Sequence, residues 1–115
     1  NLVVEVNGIK PSLPETLKVV LTDIAESEGQ ALADKLGGTF FKHDVTDEDR
    51  WIEIIKETEE KYGRIDILVN NAGIVKPGNP ENQTTEEYRF TMSVHMDSTF
   101  FGCKYVIPVM AKTGG

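Results

Sequence analysis

Four consecutive residues, Asn70-Asn71-Ala72-Gly73, follow directly on the apolar run Ile65-Asp66-Ile67-Leu68-Val69. An apolar β run that ends in amides, a small residue and a glycine reads as a buried strand with a ligand-facing carboxyl end. Ligands of open α/β sheets bind there, outside the carboxyl ends of the strands. Gly73 permits a sharp turn and lets a flat ligand approach the backbone with no Cβ in the way. Two other apolar runs end in polar residues, one in Asp23 and one in Asp44-Val45. The chemistry of such tips is recognition by amides and carboxylates. Chemistry beyond recognition has little support. No acid–base pair is in view, and His95 stands alone in a helical stretch, where a histidine is ordinarily packed or solvated. His43, His95 and Cys103 lack metal-ligand spacing, so no metal is expected. Cys103 sits among Phe100, Phe101 and Val106 and reads as a buried thiol.

The elements that position these tips follow from periodicity. Residues 18–22 read as a short buried strand ending at Asp23. Residues 25–36 have helical spacing, with Ala25, Gly29, Leu32 and Leu36 on one face, and Gly37-Gly38 stop that helix. Residues 39–43 are a second strand. Thr46 is the expected N-cap of the next helix, whose first turn carries Asp47, Glu48 and Asp49 at the positive end of its dipole. Trp51, Ile54, Ile55 and Tyr62 form its apolar stripe, and Gly63 ends it. Residues 65–69 are the third strand. Residues 76–83 are a polar loop with two prolines. Thr84 with Glu87 fits a capping box, and from there to about Lys112 the pattern predicts one long helix or two meeting near His95. Strands alternating with helices predict parallel βαβ units: an α/β fold with a three-layer, doubly wound, Rossmann-like parallel sheet, here partial.

With 115 residues, the chain holds at most one domain. The net charge of −7 disfavours nucleic acid and anionic membrane as partners. No apolar run reaches the roughly 20 residues needed to span a bilayer, and no basic n-region opens the chain. One cysteine suits a reducing cytosol, so a cytoplasmic location is expected. The first residue is Asn, which reads as a processed, trimmed or incomplete product.

Several stretches together resemble the short-chain dehydrogenase/reductase family. They are 19–23 (Val-Val-Leu-Thr-Asp), 43–47 (His-Asp-Val-Thr-Asp), 63–74 with its Asn-Asn-Ala-Gly core, and 100–110, which resembles the family's long helix at the oligomer interface. The resemblance covers residues 18–115, a partial dinucleotide-binding domain, and leaves 1–17 unassigned. It implies an NAD(P)-dependent oxidoreductase of alcohols and ketones. It implies that Asp23 accepts from the adenosine ribose hydroxyls and repels a 2′-phosphate, favouring NAD over NADP. It further implies that Asp44 binds the adenine amino group with Val45 beside the ring. Asn71, Ala72 and Gly73 would line the ribose and the path toward nicotinamide, and Asn70 would hold neighbouring strands together. A homo-oligomer through the long helix is also implied.

Three departures qualify this. The glycine-rich turn that cradles the diphosphate is missing: Gly8 stands alone, and neither Gly-x-x-x-Gly-x-Gly nor Gly-x-Gly-x-x-Gly occurs. The catalytic Ser and Tyr-x-x-x-Lys are missing too: Tyr62, Tyr88 and Tyr105 have no lysine four residues on. The family's active-site Asn falls at His95, and its role is not transferred. No catalytic residue is therefore named, and the chain is expected to be an inactive part of a longer enzyme. The rival expectation is a non-enzymatic truncated relative that self-associates through helix 85–112.

Residues 2–6 are a candidate strand. The crossover to 18–22 is too short for a parallel connection and carries Pro11 and Pro14. The two strands therefore pair antiparallel, or 2–6 lies elsewhere in the sheet. In the family's sheet the strands at 18–22 and 65–69 share a neighbour, a place that residues 2–6, a second copy of this chain or polypeptide outside the given sequence must fill; a strand from 2–6 pairing beside 65–69 is expected.

Overall fold

The computed structural model describes the backbone of Leu2 and Val3 and all of residues 17–115. Its elements are β1 (Leu2–Val3), β2 (Val20–Asp23), α1 (Glu26–Leu36), β3 (Thr39–Lys42), α2 (Glu48–Tyr62), α3 (Thr85–Met92), a π-helical turn (Ser93–Asp97) and α4 (Ser98–Ala111). The sheet order is β1-β2-β3. β2 and β3 are parallel, with Val20 opposite Thr39 and Asp23 opposite Lys42. β1 is antiparallel to β2, with Leu2 opposite Thr22, the antiparallel alternative raised by the short crossover. The rest of the candidate strand, 4–6, lies outside the described residues.

Side chains alternate across a strand, and here that alternation builds three layers. Val19 and Leu21 point to one face and pack with Ala33 of α1 and with Phe40. Val20 and Thr22 point to the other face, toward Ile54, Ile55 and Thr58 of α2. With helices on both faces of a small parallel sheet, the chain has the expected α/β architecture.

The face of α1 differs from the expected one. Ala33 is its buried residue, whereas Leu32 and Leu36 remain 47% and 36% exposed. The helix lies so close to the sheet that small residues must face it. A Cβ at Gly29 would fall 2.1 Å from the Phe40 ring. The helix ends at Gly37 in the left-handed conformation, with φ 68°, as its position predicts.

The N-cap of α2 is Asp47, not Thr46: its side chain accepts from the Arg50 N–H. The Thr46 hydroxyl is already engaged, donating to Asp44 Oδ1 at 2.7 Å. Trp51, Ile54, Ile55 and Thr58 are buried, and Gly63 ends the helix with φ 79°. The Thr84–Glu87 capping box is present in both directions. From there a single helical rod runs through the π turn and Pro108 to Ala111. Of the two expectations, one long helix or two meeting near His95, the rod is continuous and its π turn falls at His95.

Two apolar clusters join α2 to α4. One holds Val45, Trp51 and Val94, with Leu68, Ala72 and Ile74 against it. The other holds Ile55, Ile65, Val106 and Val109. Gly102 makes the close approach achievable, since a Cβ there would sit 3.0 Å from Trp51. Glu48 ties the helices at one end, accepting from Tyr105 Oη at 2.5 Å and Lys104 Nζ at 3.0 Å. Lys112 reaches Glu59 at the other end, at 2.6 Å.

Residues 65–69 overturn an expectation. They carry no strand pairing among the described residues, and Leu2–Val3, the described part of the candidate strand 2–6, pair with β2 instead. The segment is held by side chains instead, with Ile65 in one cluster and Leu68 against both. Between it and β2 lies a cavity of about 470 Å³, walled by Val20 and Thr22 on one side and Ile65, Ile67 and Leu68 on the other. β1 spans two residues and follows β2 alone, so it supplies no second ladder across that space.

Candidate functional site

The carboxyl ends of β2 and β3 open on the same edge because the strands are parallel. Asp23 closes β2. Its Oδ1 accepts from the Ala25 N–H at 3.0 Å, turning the chain into α1. Its backbone carbonyl accepts from the His43 N–H at 2.9 Å. The two strand tips are thus joined by main chain.

Asp44 follows on the exposed rim. Its Oδ1 takes both the Thr46 hydroxyl at 2.7 Å and the Thr46 N–H at 2.9 Å. Those bonds, the hydroxyl's first, hold its carboxyl below the usual range against a smaller opposing effect of burial. Val45 turns inward. It is about nine-tenths buried, and its carbonyl accepts from Trp51 Nε1 at 2.9 Å.

The tip after Val69 lies beside this rim, because Ala72 packs onto the cluster that contains Val45. Asn71 and Gly73 are exposed and Ala72 is half-buried. Asn70 faces α4 rather than another strand. A Cβ at Gly102 would lie 2.6 Å from its Oδ1, and its Nδ2 is 3.8 Å from Cys103 Sγ. Gly73 is needed for a reason beyond ligand approach: a Cβ there would fall 2.8 Å from His95 Cε1.

Two histidines behave differently. His43 is almost fully buried, edge-on to Trp51 with ring centroids 4.5 Å apart. Its Nδ1 lies 3.2 Å from Thr22 Oγ1, and its Nε2 has no partner among the described residues. Burial, then the nearby Arg50 charge, lowers its pKa from 6.5 to about 4. His95, in the π turn, is exposed, yet its Nε2 is 3.1 Å from Ile74 N and 2.7 Å from Ile74 O. Reading it as a lone packed or solvated histidine missed this contact with the tip. The one signal available is that one of the two expected arrangements has helices meeting at that position. Among the described residues no group of three His, Cys, Asp or Glu could hold a metal, and no helix is long and apolar enough to cross a membrane.

Comparison with known proteins supplies the wider frame. The family described as Enoyl-(Acyl carrier protein) reductase, of the short-chain alcohol dehydrogenase type, matches residues 14–115. A 3-beta-hydroxysteroid dehydrogenase from Comamonas testosteroni is 38% identical over 109 residues, covering 93% of this chain and 43% of that protein. An NADP-dependent (R)-specific alcohol dehydrogenase from Lentilactobacillus kefiri is 39% identical, covering 87% of this chain and 41% of its own length. A solved structure assigned to the short-chain dehydrogenases/reductases, from Burkholderia xenovorans, superposes with a TM-score of 0.78 at 29% identity, over 84% of this chain and 40% of that one. The chain therefore spans about 40% of the length of the relatives it matches.

Proposed function

Because this chain belongs to the short-chain dehydrogenase/reductase family, we propose that it forms the adenosine-side wall of a nicotinamide dinucleotide site in an oxidoreductase that interconverts alcohols and ketones. One observation carries the reading: the ends of β2 and β3 and the tip after Val69 share a rim. Asp23 is bonded to His43, and Ala72 is packed against the cluster of Val45.

On this reading Asp23 accepts from the ribose hydroxyls and disfavours a 2′-phosphate, so NAD is preferred over NADP. Asp44 accepts from the adenine amino group. Its fit is chemical: both Thr46 bonds fall on Oδ1, and a carboxylate kept ionised is acceptor-only, as an amino donor requires. Val45 offers the ring an edge, being mostly buried. Asn71, Ala72 and Gly73 line the ribose and the path toward nicotinamide. The bound cofactor supplies the hydride acceptor or donor; the residues of this chain bind and orient it. Since no Tyr-x-x-x-Lys occurs in the sequence, turnover is not assigned to this chain alone. A reducing cytosol fits its single cysteine.

No glycine-rich cradle for the diphosphate occurs in these residues. The chain is therefore expected to bind NAD no more tightly than AMP, and NADP more weakly than either. Calorimetry with all three nucleotides checks this. Asp44→Ala is expected to weaken NAD binding about tenfold, the loss of a hydrogen bond to a charged acceptor. Absence of nucleotide binding by the parent chain would remove the reading.

The rival reading, a self-associating relative without enzymatic activity, is favoured by one observation. Met96, Phe100 and Ile107 are 59%, 61% and 59% exposed, and spacings of four and seven put them on one helical stripe. Exposed apolar stripes of this kind mark interaction surfaces. Either reading predicts a dimer through this helix. Phe100→Asp is expected to raise the dimer dissociation constant at least about tenfold in sedimentation equilibrium, as loss of a buried aromatic anchor does. An unchanged mass distribution would exclude the stripe as the interface.

A further inference from the structure

The cavity between β2 and residues 65–69 belongs neither to the rim of strand ends nor to the exposed stripe of α4. We infer that it is a binding site for a single-chain amphiphile with an anionic head, such as a medium-chain carboxylate. Its charged end lies where the strands begin, at the edge of the sheet away from the proposed nucleotide rim, and it does not rest on that reading.

The volume, about 470 Å³, falls within the roughly 300–1,000 Å³ of small-molecule sites. The apolar walls are Val20, Ile54, Ile55, Ile65, Leu68 and Val106. A void of this size among such side chains costs too large a share of a domain's stability to stay empty. Water fills it poorly, because a buried water needs about two to four polar partners, and the wall hydroxyls are already engaged. Thr58 Oγ1 donates to Ile54 O at 2.7 Å, and Thr22 Oγ1 lies 3.2 Å from His43 Nδ1. A further strand is no better served. Leu21 and Thr22 pair with β3 on one edge and with β1 on the other, so at those residues β2 has no ladder left to offer. An alkyl chain asks for none of these partners.

The polar end is cationic. Lys18, Lys61 and Arg64 line the cavity where β2 and β3 begin, and Asp66 is the acidic residue among them. The last turn of α2 is fixed there: Tyr62 Oη is 2.5 Å from Thr39 Oγ1, at the start of β3, and Lys61 Nζ donates to the same hydroxyl at 2.7 Å. Arg64 donates to Asp66 Oδ1 through Nε at 2.8 Å and through Nη2, which also reaches Thr113 O at 3.4 Å. Ammonium and guanidinium groups have more donors than these bonds use. Three cations and one carboxylate leave this end positive, in a chain whose net charge is −7. A positive end on an apolar slot is complementary to a carboxylate carried on an alkyl tail.

The test titrates the full chain with sodium dodecanoate below its critical micelle concentration, followed by calorimetry and by the methyl resonances. The expected result is one-to-one binding that shifts the methyls of Ile54, Ile55 and Val106 and leaves Met96 and Ile107, on the exposed stripe, unmoved. Dodecyltrimethylammonium is expected to bind at least about tenfold more weakly. Lys61→Glu, at an exposed position, is expected to raise the dodecanoate Kd about tenfold, the loss of a charge-assisted hydrogen bond. Thr58→Phe is expected to abolish binding by filling the slot. Far-UV circular dichroism checks both variants, and Lys61→Glu decides if Thr58→Phe does not fold. The inference is overturned by the absence of saturable binding, by shifts confined to the stripe, or by an affinity that ignores head-group charge and Lys61→Glu alike. Displacement of dodecanoate by a short valine–threonine peptide that also protects the amides of 65–69 would assign the space to a strand and overturn it as well.

Discussion

Trp51→Ala is expected to leave the chain largely unfolded at room temperature. Trp51 is fully buried. It forms the center of the cluster joining α2, α4 and the 68–74 segment, touches the His43 ring, and donates Nε1 to Val45 O at 2.9 Å. Replacing a buried tryptophan by alanine costs about 3–5 kcal/mol. A whole domain has about 5–15 kcal/mol, and this sheet has few strands to spare. Urea titration followed by far-UV circular dichroism measures the loss without depending on the indole itself. Trp51→Phe refines the result. It keeps most of the ring but leaves Val45 O without its donor, and should cost about 1–3 kcal/mol. A Trp51→Ala chain with an unchanged midpoint would show that the clusters of α2 and α4 do not hold the fold.

The second large effect is a loss of stability in mild acid, caused by His43. Its pKa is 6.5 when the chain is unfolded and about 4 in the fold, lowered first by burial and then by Arg50, with Asp44 and Asp47 acting the other way. Above pH 6.5 both states carry neutral imidazole and nothing is lost. Between 6.5 and 4 the unfolded chain takes up a proton that the folded chain refuses, so stability falls as pH falls. The loss is complete below about 4. A shift of this size, at 1.36 kcal/mol per unit, amounts to roughly 3 kcal/mol. Urea midpoints from pH 7.5 down to pH 4 should trace that decline. His43→Phe keeps a ring edge-on to Trp51 and removes the titration, so its midpoint should be nearly flat over the same window. Asp44 does not mimic the effect: its lowered carboxyl pKa contributes stability that is lost only at lower pH, as the carboxylate is protonated. Equal slopes in parent and variant would assign the acid sensitivity to other groups.

Both effects concern residues whose identity was easy to read and whose surroundings were not. Spacing alone puts Trp51 on the apolar stripe of its helix, and it is buried there. In the sequence His43 ends a strand, with nothing to say that Thr22 and Trp51 enclose it. Local signals carried well where they are chemically local: the Thr84–Glu87 box and the left-handed stops at Gly37 and Gly63; the strands expected at 18–22 and 39–43 stand at Val20–Asp23 and Thr39–Lys42, in parallel. They failed where a neighbor decides. The Thr46 hydroxyl was spent on Asp44, so capping moved to Asp47. Leu32 and Leu36 fit a helical face, yet the strands admitted only the small side of α1. Residues 65–69 have the composition of a buried strand, but pairing is a property of two segments, and β1 lies along β2 instead. Of the tip residues, Asn71 and Gly73 are exposed and Ala72 packs on the cluster of Val45. The imidazole beneath Gly73 was not foreseen, because no rule of spacing links a loop glycine to a histidine 22 positions later.

The rod from Thr85 to Ala111 also has a consequence for how this chain can change length. In a regular α-helix one added or removed residue rotates everything beyond it by about 100°, which would turn Val106 and Val109 out of their cluster. A wider turn at Ser93–Asp97 takes up such a difference in place. Both flanking helices keep their phase, and only the residue presented at the bulge is exchanged. A single-residue deletion, ruinous elsewhere in the rod, would here trade one side chain for another above the tip.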